Sequence, residues 1–225
     1  YQAFIQAGQE LQRRGRGEEA LEAFRRALDL RPDSKIALNA LADGYAQQGK
    51  VIDALRMIDG LLEQSPNDPD LLSILGRTYV NARMLDEADK TYTRLMEVDK
   101  TRTDGLLDVA RQHVEAGAFD RGMALLDRCT DQLLARGQKK RATALLKDIL
   151  KRDRTNVEAL ERLAEIYTRV DERRNLAATL NTLVEVATRV NRKDIATDAL
   201  QRLMDIEPDL AARQQSSPAR AAAAG

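Results

Sequence analysis

A fixed spacing of small residues is the feature that most constrains what this chain can fold into. Two sets of small residues recur every 34 positions, namely Ala20, Ala54 and Ala88, and before them Gly8, Ala42 and Gly76. Only a small side chain fits where two helices approach closely, and a period of this length is typical of stacked helical pairs. The spacing therefore predicts an extended stack of helices rather than a single round core.

Apolar residues around these positions recur at intervals of three and four, which places them on one face of a helix. In the first 34 residues, Phe4 and Ala7 mark one helix, whereas Phe24 and Ala27 mark a second. Pro32 follows the second helix, where a residue without a backbone N–H ends the hydrogen-bond ladder. Each period is thus predicted to be a helical hairpin.

These residues follow a known pattern, aromatic-x2-Leu-Gly-x2-Tyr…Ala-x3-Phe…Pro, through Phe4, Ala7-Gly8, Leu11, Ala20, Phe24 and Pro32. The chain resembles the tetratricopeptide repeat family over residues 1–102. It departs from the family pattern in having Leu11 for the tyrosine and Lys100 where a proline is expected. The resemblance implies a right-handed superhelix whose concave side, lined mainly by first helices, holds peptides or partner proteins.

The predicted fold class is therefore all-α, a right-handed α-solenoid of antiparallel helix hairpins that passes into two three-helix units. The predicted segments are three repeats, two lengthened units and a tail or linker, at 1–34, 35–68, 69–102, 103–155, 156–209 and 210–225. We expect one continuous solenoid that is a fragment of a longer protein.

The simple period ends at residue 103, and a three-helix pattern then recurs after 54 residues. Long middle helices are expected at 119–136 and 172–190, because no stop residue interrupts either stretch. Each long helix would serve as the second helix of one hairpin and the first of the next. The alternative is a run of ordinary repeats that have lost their stops.

Composition excludes several functions. Thirty-six basic and 36 acidic residues leave no net charge, so no general attraction to nucleic acid is encoded. No apolar run reaches the roughly 20 residues that a membrane-spanning helix requires. The single cysteine, Cys129, lies on an apolar helical face, and the single histidine, His113, takes the place of a packing tyrosine. No catalytic, metal or cofactor site is predicted, and we expect a bacterial, cytoplasmic protein that is not an enzyme.

If first helices line the concave side, the residues beside the packing positions point into a groove. The predicted groove residues are Asn39, Asp43, Gln47, Ser73, Arg77, Asn81, Asp108 and Arg111. Asparagine amides can hold a peptide backbone, and the two arginines could receive a carboxylate. The alternative is that these are ordinary solvated residues that form ion pairs between repeats, for instance Asp108 with Arg77.

A second candidate surface is a run of basic residues between 136 and 154. The residues predicted to form a basic docking patch are Lys139, Lys140, Arg141, Lys147 and Lys151, with only Asp148 and Asp153 opposing the run. Such a patch could dock an acidic partner or a phosphate-rich surface. The alternative interpretation is one solvated helix face, and the absence of interleaved aromatic residues argues against binding of single-stranded nucleic acid.

Three functions agree with these observations. The first is a protein-interaction scaffold that binds a partner's peptide, helix or loop in its groove. The second is a regulatory or substrate-recruiting arm of an enzyme outside this segment, and the third is self-assembly through exposed terminal hairpins. The family resemblance also implies partners of the kind found in secretion, pilus and motility complexes.

Overall fold

The computed structural model describes residues 1–206, which form twelve α-helices joined by short turns. In chain order the helices are α1 (Gln2–Arg13), α2 (Gly17–Leu30), α3 (Lys35–Gln47), α4 (Val51–Gln64), α5 (Pro69–Asn81), α6 (Leu85–Val98), α7 (Asp104–Glu115), α8 (Phe119–Ala135), α9 (Lys139–Arg152), α10 (Val157–Arg169), α11 (Arg173–Arg189) and α12 (Lys193–Ile206). The tail expected at 210–225 lies outside the described residues. The described residues are all-α, as the sequence predicts, and the chain divides within α7 into two compact units, Tyr1–Val109 and Ala110–Gly225.

In the first unit, each helix from α1 to α5 packs against the next, and α3 also packs against both α1 and α5. The first helices of successive hairpins are therefore neighbours. Gly15 and Gly49, in the turns within the first two hairpins, adopt left-handed backbone angles, with φ of 74° and 73°, and Arg83 does the same in the third hairpin, at 60°. Most residues with a β-carbon avoid this region, so two of the three hairpins use glycine here.

The helix starts follow from local capping. Ser34 accepts a hydrogen bond from the backbone N–H of Ala37, and Asp68 accepts from the N–H groups of Asp70 and Leu71 at 2.9 and 3.0 Å. Both residues follow the proline that ends the preceding repeat. Because a side-chain oxygen satisfies N–H groups that have no partner within the helix, these caps fix where α3 and α5 begin.

Large side chains fill the spaces that the small residues leave. Phe24 is fully buried, and a β-carbon on Gly8 would overlap its ring. Tyr92 is 5% exposed and takes the equivalent place in the third repeat, between Gly76 of α5 and Gly105 of α7. Burial raises the pKa of the Tyr92 hydroxyl to about 12. In each of these two hairpins, the recurring small residue thus leaves the space that one aromatic ring fills.

The second unit contains the two long helices. α8 and α11 each have 17 residues, and they begin 54 positions apart, at Phe119 and Arg173. α9 and α12 are likewise offset by 54, beginning at Lys139 and Lys193. The face predicted for α9 is buried through Ala142, Leu145, Leu146 and Ile149. Each helix from α8 onward packs against the next one in the chain.

Across residues 1–206, no helix combines the length and the apolar character that crossing a membrane would require.

Candidate partner-binding surfaces

Two neighbouring helices of the first unit bring six of the predicted groove residues together. Asn39, Asp43 and Gln47 recur every four residues along α3, and Ser73, Arg77 and Asn81 do the same along α5. A spacing of four places each set on one face of its helix. We call these six residues the α3–α5 surface.

Arg77 is the centre of this surface and links its two helices. Its Nη2 lies 2.9 Å from the Asp43 carboxylate and also donates a hydrogen bond to the Asn39 side-chain oxygen. Partial burial raises the pKa of the Asp43 carboxyl, whereas the Arg77 charge and hydrogen bond act to lower it. The positive charge of Arg77 is therefore already paired within the protein. This is the alternative of ion pairs between repeats, although the partner is Asp43 and not Asp108.

Two cavities flank Arg77. One, of about 470 Å³, is lined by residues that include Gln47 and Asn81. The other, of about 310 Å³, is lined by residues that include Ser73 and the exposed Ile36. Within residues 1–206, the side chains of Ser73 and Asn81 make no hydrogen bond. The surface therefore offers uncharged polar groups on either side of a neutralised arginine.

The remaining predicted groove residues, Asp108 and Arg111, lie on α7 rather than on α3 or α5. Asp108 and Arg111 are both exposed on α7, but Asp108 belongs to the first compact unit and Arg111 to the second. Gln47 accepts a 2.6 Å hydrogen bond from Gln12 of α1, which extends the polar contacts of α3 to the preceding hairpin.

The predicted basic docking patch is partly neutralised by one acidic residue outside the run of 136–154 and one within it. Lys139 pairs with Glu172, and Lys151 with Asp148 at 2.7 Å. Lys147 lies over the ring of Tyr167, with Nζ 5.9 Å from the ring centroid. Lys140 and Arg141 are exposed. The patch therefore presents fewer free charges than its sequence suggests.

A third and larger cavity was not predicted. It lies in the second unit, measures about 630 Å³, and is lined by side chains of α8, α10 and α12 that are far apart in sequence. Across the described part of the chain, no group of three metal-binding side chains is assembled, in this cavity or elsewhere.

The contact between Arg77 and Asp43 makes stability depend on pH in a testable way. A carboxyl whose pKa is raised by folding disfavours the folded state above that pKa, and ceases to do so once it is protonated at lower pH. Arg77→Met removes the group that lowers the Asp43 pKa. We expect the variant to lose about 1 kcal/mol more stability, relative to the parent chain, at pH 7 than at pH 4, since both side chains are partly solvated.

Urea unfolding of both chains at the two pH values measures this difference. As a control, adding Asp43→Asn to Arg77→Met should abolish the pH dependence of the loss. An equal loss at both pH values would mean that Arg77 does not control the ionisation of Asp43.

Comparison with known proteins shows which family the first unit resembles. One tetratricopeptide repeat model matches residues 5–69 and another matches residues 71–106. Among curated proteins, the chain is 32% identical over 110 residues to protein O-mannosyl-transferase Tmtc3 of Drosophila melanogaster, and 31% identical over 152 residues to cellulose synthase operon protein C of Pseudomonas fluorescens. These alignments cover 48% and 62% of this chain but only 12% of each relative.

Solved structures with similar folds include TTC0263, a protein with the same type of repeat from Thermus thermophilus. It is 22% identical, has a TM-score of 0.40, and the match covers 89% of this chain and 98% of that one. A repeat protein from Parabacteroides merdae is 13% identical, with a TM-score of 0.44 and coverage of 92% and 93%.

Proposed function

We propose, from the premise that residues 5–106 of this chain belong to the tetratricopeptide repeat family, that the protein is a non-enzymatic adaptor that holds an extended segment of a partner protein on its α3–α5 surface. Proteins built from such repeats bind other proteins through stacked hairpins. The hairpins are ordered before binding, so contacts form at little further conformational cost.

The observation that carries the proposal is the pair of free polar side chains, Ser73 and Asn81, on either side of Arg77. They are eight residues apart on one helix, which corresponds to about 12 Å along the axis. An extended peptide covers that distance with about four residues. A hydroxyl and an amide can hydrogen-bond with the peptide backbone whatever its side chains are. Because Asp43 engages Arg77, we propose a partner segment that is not strongly acidic.

The exposed Ile36 supplies an apolar contact beside the 310 Å³ cavity. It is 64% exposed, and a partner side chain that covered it would add hydrophobic stabilisation to the polar contacts. The partner segment is thus proposed to carry an apolar residue near one end.

Affinity capture with the purified chain tests this surface. The double substitution Ser73→Ala and Asn81→Ala removes two hydrogen-bonding groups without touching the contact between Arg77 and Asp43. At about 1 kcal/mol for each lost bond, we expect about a 30-fold weaker affinity for the captured partner. The readout is mass spectrometry of proteins captured from native lysate, followed by titration of the strongest one.

A matched control is Arg56→Ala with Gln64→Ala, which alters two exposed residues that are also eight apart on one helix, α4. This control should leave capture unchanged. If both double variants bind as the parent chain does, or both lose the partner equally, the α3–α5 surface is not the binding site.

A second candidate function is a recruiting arm attached to a larger enzyme. The observation that favours it is that this chain aligns with 12% of two much longer proteins, one of which is named a transferase. In that case the partner captured by the α3–α5 surface would also be a substrate of the attached enzyme. Sequencing the complete gene distinguishes an adaptor from such an arm.

A further inference from the structure

The 630 Å³ cavity of the second unit has an apolar floor and a charged rim. Leu126 of α8 and Ile166 of α10 form part of its lining, and they are 1% and 3% exposed. The rim carries carboxylates and guanidinium groups from all three helices. Such a combination suits a ligand with both an apolar part and a charged part.

The arginines of the rim that lie on α10 are already paired. Arg162 donates hydrogen bonds of 2.9 to 3.0 Å to both carboxylate oxygens of Asp127. Arg169 donates one of 2.7 Å to Asp131. A two-oxygen contact of the first kind is strong and directional, so it fixes the arginine in place. Within each pair the charge of the arginine is balanced by that of the aspartate, so neither arginine is available to an incoming anion.

Two carboxylates of the rim are not paired. Glu161 and Glu165 lie one helical turn apart on α10, and both line the cavity. Neither makes a hydrogen bond or an ion pair with another side chain among residues 1–206. Partial burial, and then the nearby charge of Glu158, raises the pKa of the Glu161 carboxyl, although the charges of Arg192 and Arg162 act to lower it. A cation at this position would relieve that unfavourable environment.

The third arginine of the rim, Arg202 of α12, does not balance the two glutamates. It donates a hydrogen bond of 3.2 Å to the Thr168 hydroxyl, and its nearest carboxylate is Asp198, at 3.7 Å. Its charge is therefore directed partly towards a residue outside the cavity. The charge that remains unpaired in the cavity is negative.

We infer that this cavity is a docking site for a polypeptide segment that carries a lysine or arginine next to an apolar side chain. The basic group would lie between Glu161 and Glu165, and the apolar side chain would rest on Leu126 and Ile166. A nucleic acid would bring phosphates against those two carboxylates, so this surface selects against it. The site is separate from the α3–α5 surface and does not depend on the function proposed for it.

A random peptide library displayed on phage, selected against the full chain, tests the inference. Selected peptides should be enriched in lysine or arginine beside an apolar residue. A synthetic peptide of the consensus sequence, measured by fluorescence polarisation, should then bind Glu161→Gln/Glu165→Gln about tenfold more weakly than the parent chain. Absence of basic enrichment overturns the inference.

The control variant is Asp59→Asn/Glu63→Gln on α4, which removes the same charge from two exposed carboxylates one turn apart that do not line the 630 Å³ cavity. Binding to it should be unchanged. Equal weakening in both double variants would reveal a general charge effect and overturn the site. Ser73→Ala/Asn81→Ala should also leave this peptide unaffected, which separates the two surfaces.

Discussion

Replacing Gly105 by alanine is expected to lower the free energy of unfolding by about 3 kcal/mol, the largest loss that adding one methyl group should cause in the described chain. A β-carbon at this position would overlap ring carbons Cε1 and Cζ of Tyr92. The ring is buried and also lies close to Gly76 on another helix, so it has little room to move away. Thermal and urea unfolding measure the loss.

The matched control is Gly60→Ala. Gly60 also lies in a helix, α4, but a β-carbon there would meet nothing within 4 Å. This control should gain up to about 1 kcal/mol, because alanine favours helix more than glycine does. Combining Gly105→Ala with Tyr92→Leu should cost less than the two single losses together, since the smaller side chain makes room. A Gly105→Ala variant as stable as the parent chain would disprove the close packing of Tyr92.

The second large effect concerns the thiol of Cys129, which should react with alkylating reagents about a thousandfold more slowly in the folded chain than in urea at pH 8. Burial raises its pKa from 9.0 to about 12, so the reactive thiolate is correspondingly rarer. The side chain is fully buried, and its Sγ lies 3.3 Å from the Leu126 carbonyl oxygen. Alkylation followed by mass spectrometry gives the rate.

An exposed cysteine on the same helix provides the comparison. Ala124 is exposed on α8, so Ala124→Cys in a Cys129→Ala background should react nearly as fast folded as unfolded. Because labelling of Cys129 requires the second unit to open, its rate also reports the stability of that unit. Rapid labelling of Cys129 in the native chain would show that α8 is not packed as described.

The sequence predicted the helices well because their signals are local. The long helices expected at 119–136 and 172–190 lie at Phe119–Ala135 and Arg173–Arg189. A helix boundary depends on caps, stop residues and the periodicity of apolar side chains, all of which fall within a few residues of one another. The small-residue period likewise predicted where helices approach closely, and Gly8 and Gly76 lie against the rings of Phe24 and Tyr92.

The surfaces were harder to predict, because whether a charged side chain is paired depends on a neighbour in another hairpin. The spacing of Asn39, Asp43 and Gln47 placed them on one face, but it did not reveal that Arg77 would be engaged by Asp43. A usable signal existed: ion pairs between hairpins join residues 32 to 38 positions apart, as in Arg102–Asp70 and Arg169–Asp131. Opposite charges at that separation could have been sought, and the cavity rim would have been found with them.

The odd number of helices in the three-helix pattern has a consequence for the surfaces that its two occurrences present. α8 and α11 occupy equivalent places, 54 residues apart, yet α8 lines the large cavity beside α10 and α12, whereas α11 does not. Two helices with a common sequence pattern thus lie in different surroundings. A repeat of two helices would return each helix to the same side of the stack, whereas a repeat of three helices places it on the opposite side. A second occurrence of this three-helix pattern therefore does not extend the surface formed by the first.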